Sequence, residues 1–262
     1  MTQRWSAHIG YLYTELPLAE RLQAAATDGF TAVEHPSPYA IPAAEMRQRL
    51  KELSLTFSQV TSGMGDPDRG EKGLAALPGR EAEFRQGFDR ALEYALAVGC
   101  PFVHPMAGVP VHLDAAATET YEANISYALA AVSGTPISLL IEPITIPGYA
   151  MGSLDDAMAL QDRHGPRIKL LLDTYHAAVQ GIDATSWFCS NHRRVGHIHI
   201  ADHPGRHEPG TGLIDFDGFL AALRMHDYAG AVGFEYVPTK STSDSARFLA
   251  KWASSMSNDR RI

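Results

Sequence analysis

Cysteine is scarce: two in 262 residues, Cys100 and Cys189, neither in a metal-binding or redox spacing. Two are too few for a disulfide framework, and a reducing cytoplasm is the expected location. Basic residues are also outnumbered, 22 Lys and Arg against 30 Asp and Glu, for a net charge of −8. Nucleic-acid binding needs a clustered basic face, so no nucleic-acid partner is expected. No window approaches the roughly 18 consecutive apolar residues of a membrane span. The opening MTQRWSAHIGYLYTE has no basic region followed by a long apolar run, so neither a membrane association nor an export signal is expected. The glycine-rich turn that follows the first strand of an open dinucleotide-binding sheet is missing too, for YLYTELP stands in its place.

What is present is an alternation that runs from end to end. Short apolar runs predict strands at Ser6–Ile9, Ala32–His35, Thr56–Val60, Phe102–Met106, Ser138–Pro143, Ile168–Asp173, His197–Ala201 and Val232–Tyr236. Between them lie residues spaced by three and four: Leu18, Leu22 and Ala25; Met46, Leu50 and Leu53; Phe84, Phe88, Leu92 and Ala95; Tyr121, Ile125 and Leu129. The pattern resumes at Leu154, Met158 and Leu160, at Phe216, Phe219, Leu220 and Leu223, and at Phe248 and Trp252. Such stripes place one helix face against a sheet. Gly29, Gly99, Gly134, Gly165 and Gly230 stand where these helices should stop. With no linker or composition break, the expectation is an α/β chain folded as a single (β/α)8 TIM barrel over residues 1–262. The charged tail beyond Trp252, ending NDRRI, is expected either to pack on a partner or to fray.

In such a barrel, polar residues at the carboxyl ends of strands share one mouth. The last four strands end in residues a core strand avoids: Glu142 in LLIEP, Asp173 and His176 in LLLDTYH, His199 in GHIHIAD and Glu235 in VGFEY. Singly, an acid at a strand end is more often a helix cap or a surface group, and Asp173 could cap the next turn. As a set, three carboxylates converging in a low-dielectric cavity repel one another, and a divalent cation resolves the conflict. An oxygen-rich set with one imidazole suits Mn²⁺ or Mg²⁺, other divalent ions remaining open.

The strings LLIEPI, DTYH, GHIHIADHPGRHEPGTG and GFEYVP, with GEKGLAALPGREAEF and VHPMAG earlier in the chain, resemble the hydroxypyruvate isomerase group of the xylose isomerase-like TIM barrels. The resemblance runs from Trp5 to Pro238. It implies Glu142, Asp173, His199 and Glu235 as metal ligands, with Glu142 and Glu235 doubling as the catalytic acid/base pair. The implied reaction interconverts hydroxypyruvate and tartronate semialdehyde, or a related small hydroxy-oxo acid, by proton transfer through an enediolate. A ketose 3-epimerase or 2-oxo-tetronate isomerase is the alternative within the superfamily. A nuclease like the AP endonucleases and a non-catalytic sugar-binding barrel are more distant ones.

Substrate contacts are expected from Arg206, whose planar fork matches a carboxylate, and from His176 and His104. The competing reading of Arg206 is a surface residue paired with Glu208, and that of His176 a core histidine. His197, two before His199, shares its strand face and is expected deeper, as packing or support. His192, His203, His207 and His226 are assigned no chemistry. TSGMGDPDRGEKG reads as a cover over the mouth or a plain mobile loop. Three features set the chain apart from the isomerase group: histidine at 199, which resembles the epimerases; the short ITIPGY loop after Glu142; and His35 in EHPSPY, where the isomerases tend to be apolar. The resemblance therefore implies the reaction class more firmly than the substrate, and it also implies association of like subunits.

Overall fold

The computed structural model describes residues 3–258. Its strands are β1 (Arg4–His8), β2 (Ala32–His35), β3 (Thr56–Ser62), β4 (Phe102–Pro105), β5 (Ser138–Ile141), β6 (Ile168–Asp173), β7 (Val195–Ile200) and β8 (Ala231–Phe234). They form a closed barrel in sequence order, parallel where the register pairs Ser6 with Ala32, Val60 with Val103, Leu139 with Ile168, His199 with Gly233 and Trp5 with Val232. Parallel neighbours need a crossover, and helices supply it. These are α1 (Leu18–Thr27), α2 (Ala43–Glu52), α3 (Glu81–Val98), α4 (Ala115–Ala131), α5 (Leu154–His164), α6 (Thr174–Val179), α7 (Ala184–Asn191), α8 (Phe216–Met225), α9 (Thr242–Ser245) and α10 (Phe248–Asn258). The final residues of the charged tail, 259–262, lie outside the described residues.

Each expected strand is present, β2 and β6 with the expected bounds and the others with edges displaced by a few residues. Two displacements matter. β5 stops at Ile141 and β8 at Phe234, so Glu142 and Glu235 stand immediately beyond the last ladder residue. The chain between β6 and β7, where the sequence shows no helical stripe, carries α6 and α7. Gly181, in the left-handed region at φ 72°, divides them into pieces too short to display a stripe. Gly99 and Gly165 occupy the caps of α3 and α5. Gly230 does not terminate a helix: α8 ends at Met225 with His226 as its cap. Gly230 instead leaves room for the Tyr228 hydroxyl, which an added Cβ would meet at 2.2 Å.

The described residues group into two compact units. One comprises residues 3–34, 48–58 and 172–258. Its core is aromatic: Trp5 lies 5.9 Å from Phe234 and 6.1 Å from Trp252, ring centre to ring centre, and Phe216 and Phe248 close on Trp252 at 5.6 and 4.9 Å. Helix α8 buries Phe216, Phe219, Leu220 and Leu223, the face its spacing predicts.

The other unit comprises residues 35–47 and 59–171. Phe84 and Phe88 of α3 are fully buried with ring centres 6.0 Å apart, and Ile125, Leu139, Leu160 and Ile168 are buried as well. Here the segment TSGMGDPDRGEKG is anchored at its end. Gly73 bridges to Ala107, and Glu71 is paired with Arg80 at 3.1 Å. A Cβ at Gly73 would lie 2.6 Å from the Met106 carbonyl oxygen, so the approach of the two backbones requires glycine. No helix among the described residues is long and apolar enough to cross a membrane.

Candidate active site

Strand β7 begins the site. Alternation sends His197 and His199 to the same face, where both are buried to within 1% of full enclosure. Each ring directs Nε2 at the same oxygen, Oε2 of Glu34, at 2.8 Å from His197 and 3.1 Å from His199. Glu34 stands on β2 and is completely buried. Burial alone would push its carboxyl up, but the charge of the two imidazoles and their hydrogen bonds hold it well below the usual carboxylate range. It is an ionised acceptor inside the strand bundle. Space for it comes from Gly233, opposite His199 in register: a Cβ there would sit 2.2 Å from Glu34 Oε1 and 2.9 Å from His197 Nε2.

The other side of the His199 ring faces acids. Its Nδ1 is 3.4 Å from Glu235 Oε2, and His8 Nε2 is 3.4 Å from Glu235 Oε1. Arg206 Nη2 reaches the same carboxylate at 2.5 Å and Asp173 Oδ2 at 3.6 Å. Burial opposes ionisation of Glu235, yet Arg206, His199 and His8 together hold its carboxyl below the usual range. Asp173 is the helix cap that its position allowed. Its Oδ1 caps α6, accepting from the backbone N–H of Tyr175 at 2.7 Å and His176 at 3.2 Å, which orients Oδ2 toward Arg206. His176 is buried in the first turn of α6, its Nε2 3.9 Å from Asp173 Oδ2.

Arg206 is therefore not the exterior partner of Glu208. Its guanidinium lies between two aromatic rings, 5.2 Å from the centre of Tyr11 and 5.4 Å from that of Tyr175, an arrangement that favours a planar cation. Its backbone is in the left-handed region at φ 57°, a conformation that costs a non-glycine residue about 1–3 kcal/mol and needs support. Asp202 supplies that support. Fully buried, it accepts from the backbone N–H groups of His203, Gly210, Gly212 and Ile214 at 2.8–3.1 Å, and its carbonyl receives the Arg206 N–H at 3.0 Å. Asp202→Ala would strand these donors. At about 1–3 kcal/mol for a buried unsatisfied group, denaturant unfolding should show a loss of at least ~2 kcal/mol.

Glu208 ties the same loop to the chain after β8, accepting from the Thr239 N–H at 3.0 Å and from the Thr239 hydroxyl. Burial raises the Glu208 carboxyl, and the Thr239 bonds more than compensate, leaving it lowered. A lowered folded-state value contributes stability that is complete above the unfolded carboxylate value of ~4.3 and disappears as pH falls through the folded one. Glu208→Gln should therefore flatten the acid limb of the stability curve below about pH 4.5, read from melting temperature against pH, and leave the neutral slope unchanged.

In the other unit, Glu142 is buried just past β5, with His104 Nδ1 3.7 Å from its Oε2. Tyr149 donates no charge there: burial first, and Glu142 second, push its phenol up. One ligand atom from each of Asp173, His199 and Glu235 lies within 4.8 Å of the others, and all three residues are buried. Two carboxylate oxygens and one imidazole nitrogen form a donor set that fits a hard or borderline divalent ion. Arg206 offsets part of the acid charge, and such an ion would balance the rest. A second group, Glu34 with His197 and His199, also satisfies the geometry for holding an ion.

Sequence reasoning missed His8, Glu34, Tyr11 and Tyr175. On β2 it singled out His35, which is half-buried and accepts the Ser37 N–H at 2.9 Å. The usable signal was parity. In AVEH, Glu34 alternates with Val33 and His35, and an acid inside an apolar run demands a buried partner.

Residues 22–252 match the family described as xylose isomerase-like TIM barrel. The chain is 39% identical over 252 residues to the 2-oxo-tetronate isomerase of Cupriavidus necator, covering 94% of this chain and 97% of that protein. It is 34% identical over 252 residues to the hydroxypyruvate isomerase of Escherichia coli, covering 94% and 98%. A solved structure described as an AP endonuclease, family 2, from Brucella melitensis is similar at a TM-score of 0.90 and 35% identity, covering 96% and 99%.

Proposed function

Because the chain belongs to the xylose isomerase-like TIM barrel family, we propose that it is a metal-dependent isomerase of a short hydroxy-oxo acid, moving a carbonyl by one carbon. The observation that carries this reading is the buried meeting of Asp173, His199 and Glu235 within 4.8 Å. These three, with Glu142 as the fourth ligand that the family resemblance implies, would hold Mn²⁺ or Mg²⁺, whose contribution when bound is electrophilic polarisation of the substrate's adjacent oxygens.

The remaining work falls to side chains. Hydroxypyruvate becomes tartronate semialdehyde when a proton leaves C3, the resulting enediolate accepts one at C2, and a proton moves between the two oxygens. Glu142 and Glu235 form the acid/base pair. Arg206 receives the substrate carboxylate with its planar fork. In doing so it turns from Glu235, which frees that carboxylate as a proton acceptor. His104 and His176, beside Glu142 and Asp173, donate hydrogen bonds to substrate oxygens.

The four-carbon 2-oxo-tetronate is the alternative substrate, favoured by the higher identity to the Cupriavidus necator protein. The same groups would serve it. DNA is not proposed as a substrate, because a net charge of −8 opposes the phosphate contacts on which such binding depends. The test is deuterium exchange: purified protein with Mn²⁺ in D₂O, supplied separately with hydroxypyruvate and 2-oxo-tetronate. Enzyme-dependent deuteration beside the carbonyl is the expected result. The better substrate is the one with the larger kcat/KM, and no exchange into either acid would overturn the reading.

A further inference from the structure

Glu34 lies outside the proposed ligand set, yet it is a fully buried acid on β2. Its Oε2 is shared by two rings, His197 Nε2 at 2.8 Å and His199 Nε2 at 3.1 Å. A carboxylate oxygen only accepts, so both rings must present N–H there. Above the imidazole range each ring is neutral and has one proton to place. Once it is on Nε2, the lone pair belongs to Nδ1, and for His199 that atom faces Glu235 Oε2 at 3.4 Å. The bare backbone of Gly233 reserves the room, since a side chain there would collide with Glu34, His197 and His199 together.

We infer that Glu34 is a positioning residue, which holds His199 as the Nε2–H tautomer and thereby turns the Nδ1 lone pair toward Asp173 and Glu235. The inference rests on the functional reading above for its purpose, a ligand nitrogen aimed at a divalent ion. His197 is the brace: bonded to the same oxygen, it keeps the carboxylate from rotating away. Carboxylates behind metal-bound histidines act in this manner, and their loss typically weakens metal binding by about 10–100-fold. The alternative occupant, an ion seated among Glu34, His197 and His199 themselves, would have to break both hydrogen bonds that define the group.

Two measurements decide it. In metal-free wild-type protein labelled with ¹⁵N-histidine, at a pH above the imidazole range, long-range couplings should report Nε2–H and a bare Nδ1 for His199. The signals are assigned by their loss in His199→Gln. An Nδ1–H tautomer at His199 overturns the inference. In Glu34→Gln, Mn²⁺ affinity followed by the EPR signal of free Mn²⁺ should fall on the order of 10–100-fold, with Glu34→Asp, which keeps the charge and loses reach, falling in between. Lowered stability with unchanged Mn²⁺ affinity means a purely structural role and overturns it as well. Should Glu34→Gln fail to fold, the wild-type tautomer alone decides. Failure of wild-type protein to take up Mn²⁺ is a separate result that strikes the proposed function, while the tautomer still tells whether Glu34 orients His199.

Discussion

Glu235→Gln should reduce kcat by about 10²–10⁴-fold, the usual contribution of a positioned general acid or base. The substitution preserves shape and keeps an oxygen for the Arg206 hydrogen bond, so the protein should fold. On the proposed reading it removes the proton acceptor and one negative donor of the buried group with Asp173 and His199. The accompanying signature is loss of solvent deuterium exchange in the same proportion as turnover, because both require removal of the same carbon-bound proton. KM should move far less than kcat, since the proposed substrate contacts of Arg206, His104 and His176 remain. The pair of measurements is kcat/KM and the rate of deuterium incorporation. Exchange within about tenfold of wild type would show that Glu235 is not the acid/base group.

Gly233→Ala should give the largest loss of stability among single-atom additions to the barrel interior. The new methyl would lie 2.2 Å from Glu34 Oε1, 2.8 Å from His199 Cδ2 and 2.9 Å from His197 Nε2. None of these is the loose end of a flexible chain. All three atoms belong to one buried, hydrogen-bonded network, so relief by moving one breaks a bond to another. Overpacking of this kind costs about 1–3 kcal/mol, and a disrupted Glu34 bond adds about 1–3 kcal/mol for the buried group left unmatched. Gly152→Ala is the control. Its methyl meets only the Tyr149 carbonyl oxygen, at 3.5 Å, and its effect should stay within about 0.5 kcal/mol. Urea unfolding of both variants reads the contrast, and equal stabilities would show that the interior yields where the geometry says it is closed. Gly233→Ala should also weaken Mn²⁺ binding, because His199 is displaced together with Glu34.

The strand and helix pattern was legible because each apolar run is a local statement about which face is buried. Phe216, Phe219, Leu220 and Leu223 show this well: their spacing alone identifies the face that α8 buries. Glu142, Asp173, His199 and Glu235 were legible for a related reason. A polar residue closing an apolar run stands out in one dimension, and in a barrel such residues gather at one end of the strands. The helices between β6 and β7 were not legible, because six and eight residues give too few turns for a stripe to repeat.

Sequence by itself determined the architecture and which polar side chains stand at the strand ends, since burial periodicity and residue identity are carried residue by residue along the chain. Tertiary structure alone decided which contacts those side chains make. Arg206 could be an exterior partner of Glu208 or a cation between Tyr11 and Tyr175 on Glu235, and only the loop held by Asp202 selects the second. Glu34 reads as one acid in a short strand until its oxygen is found between two imidazoles that lie more than 160 positions later in the chain. Hydrogen bonds and ion pairs depend on distance in space, and distance in space between remote strands is set by closure of the barrel.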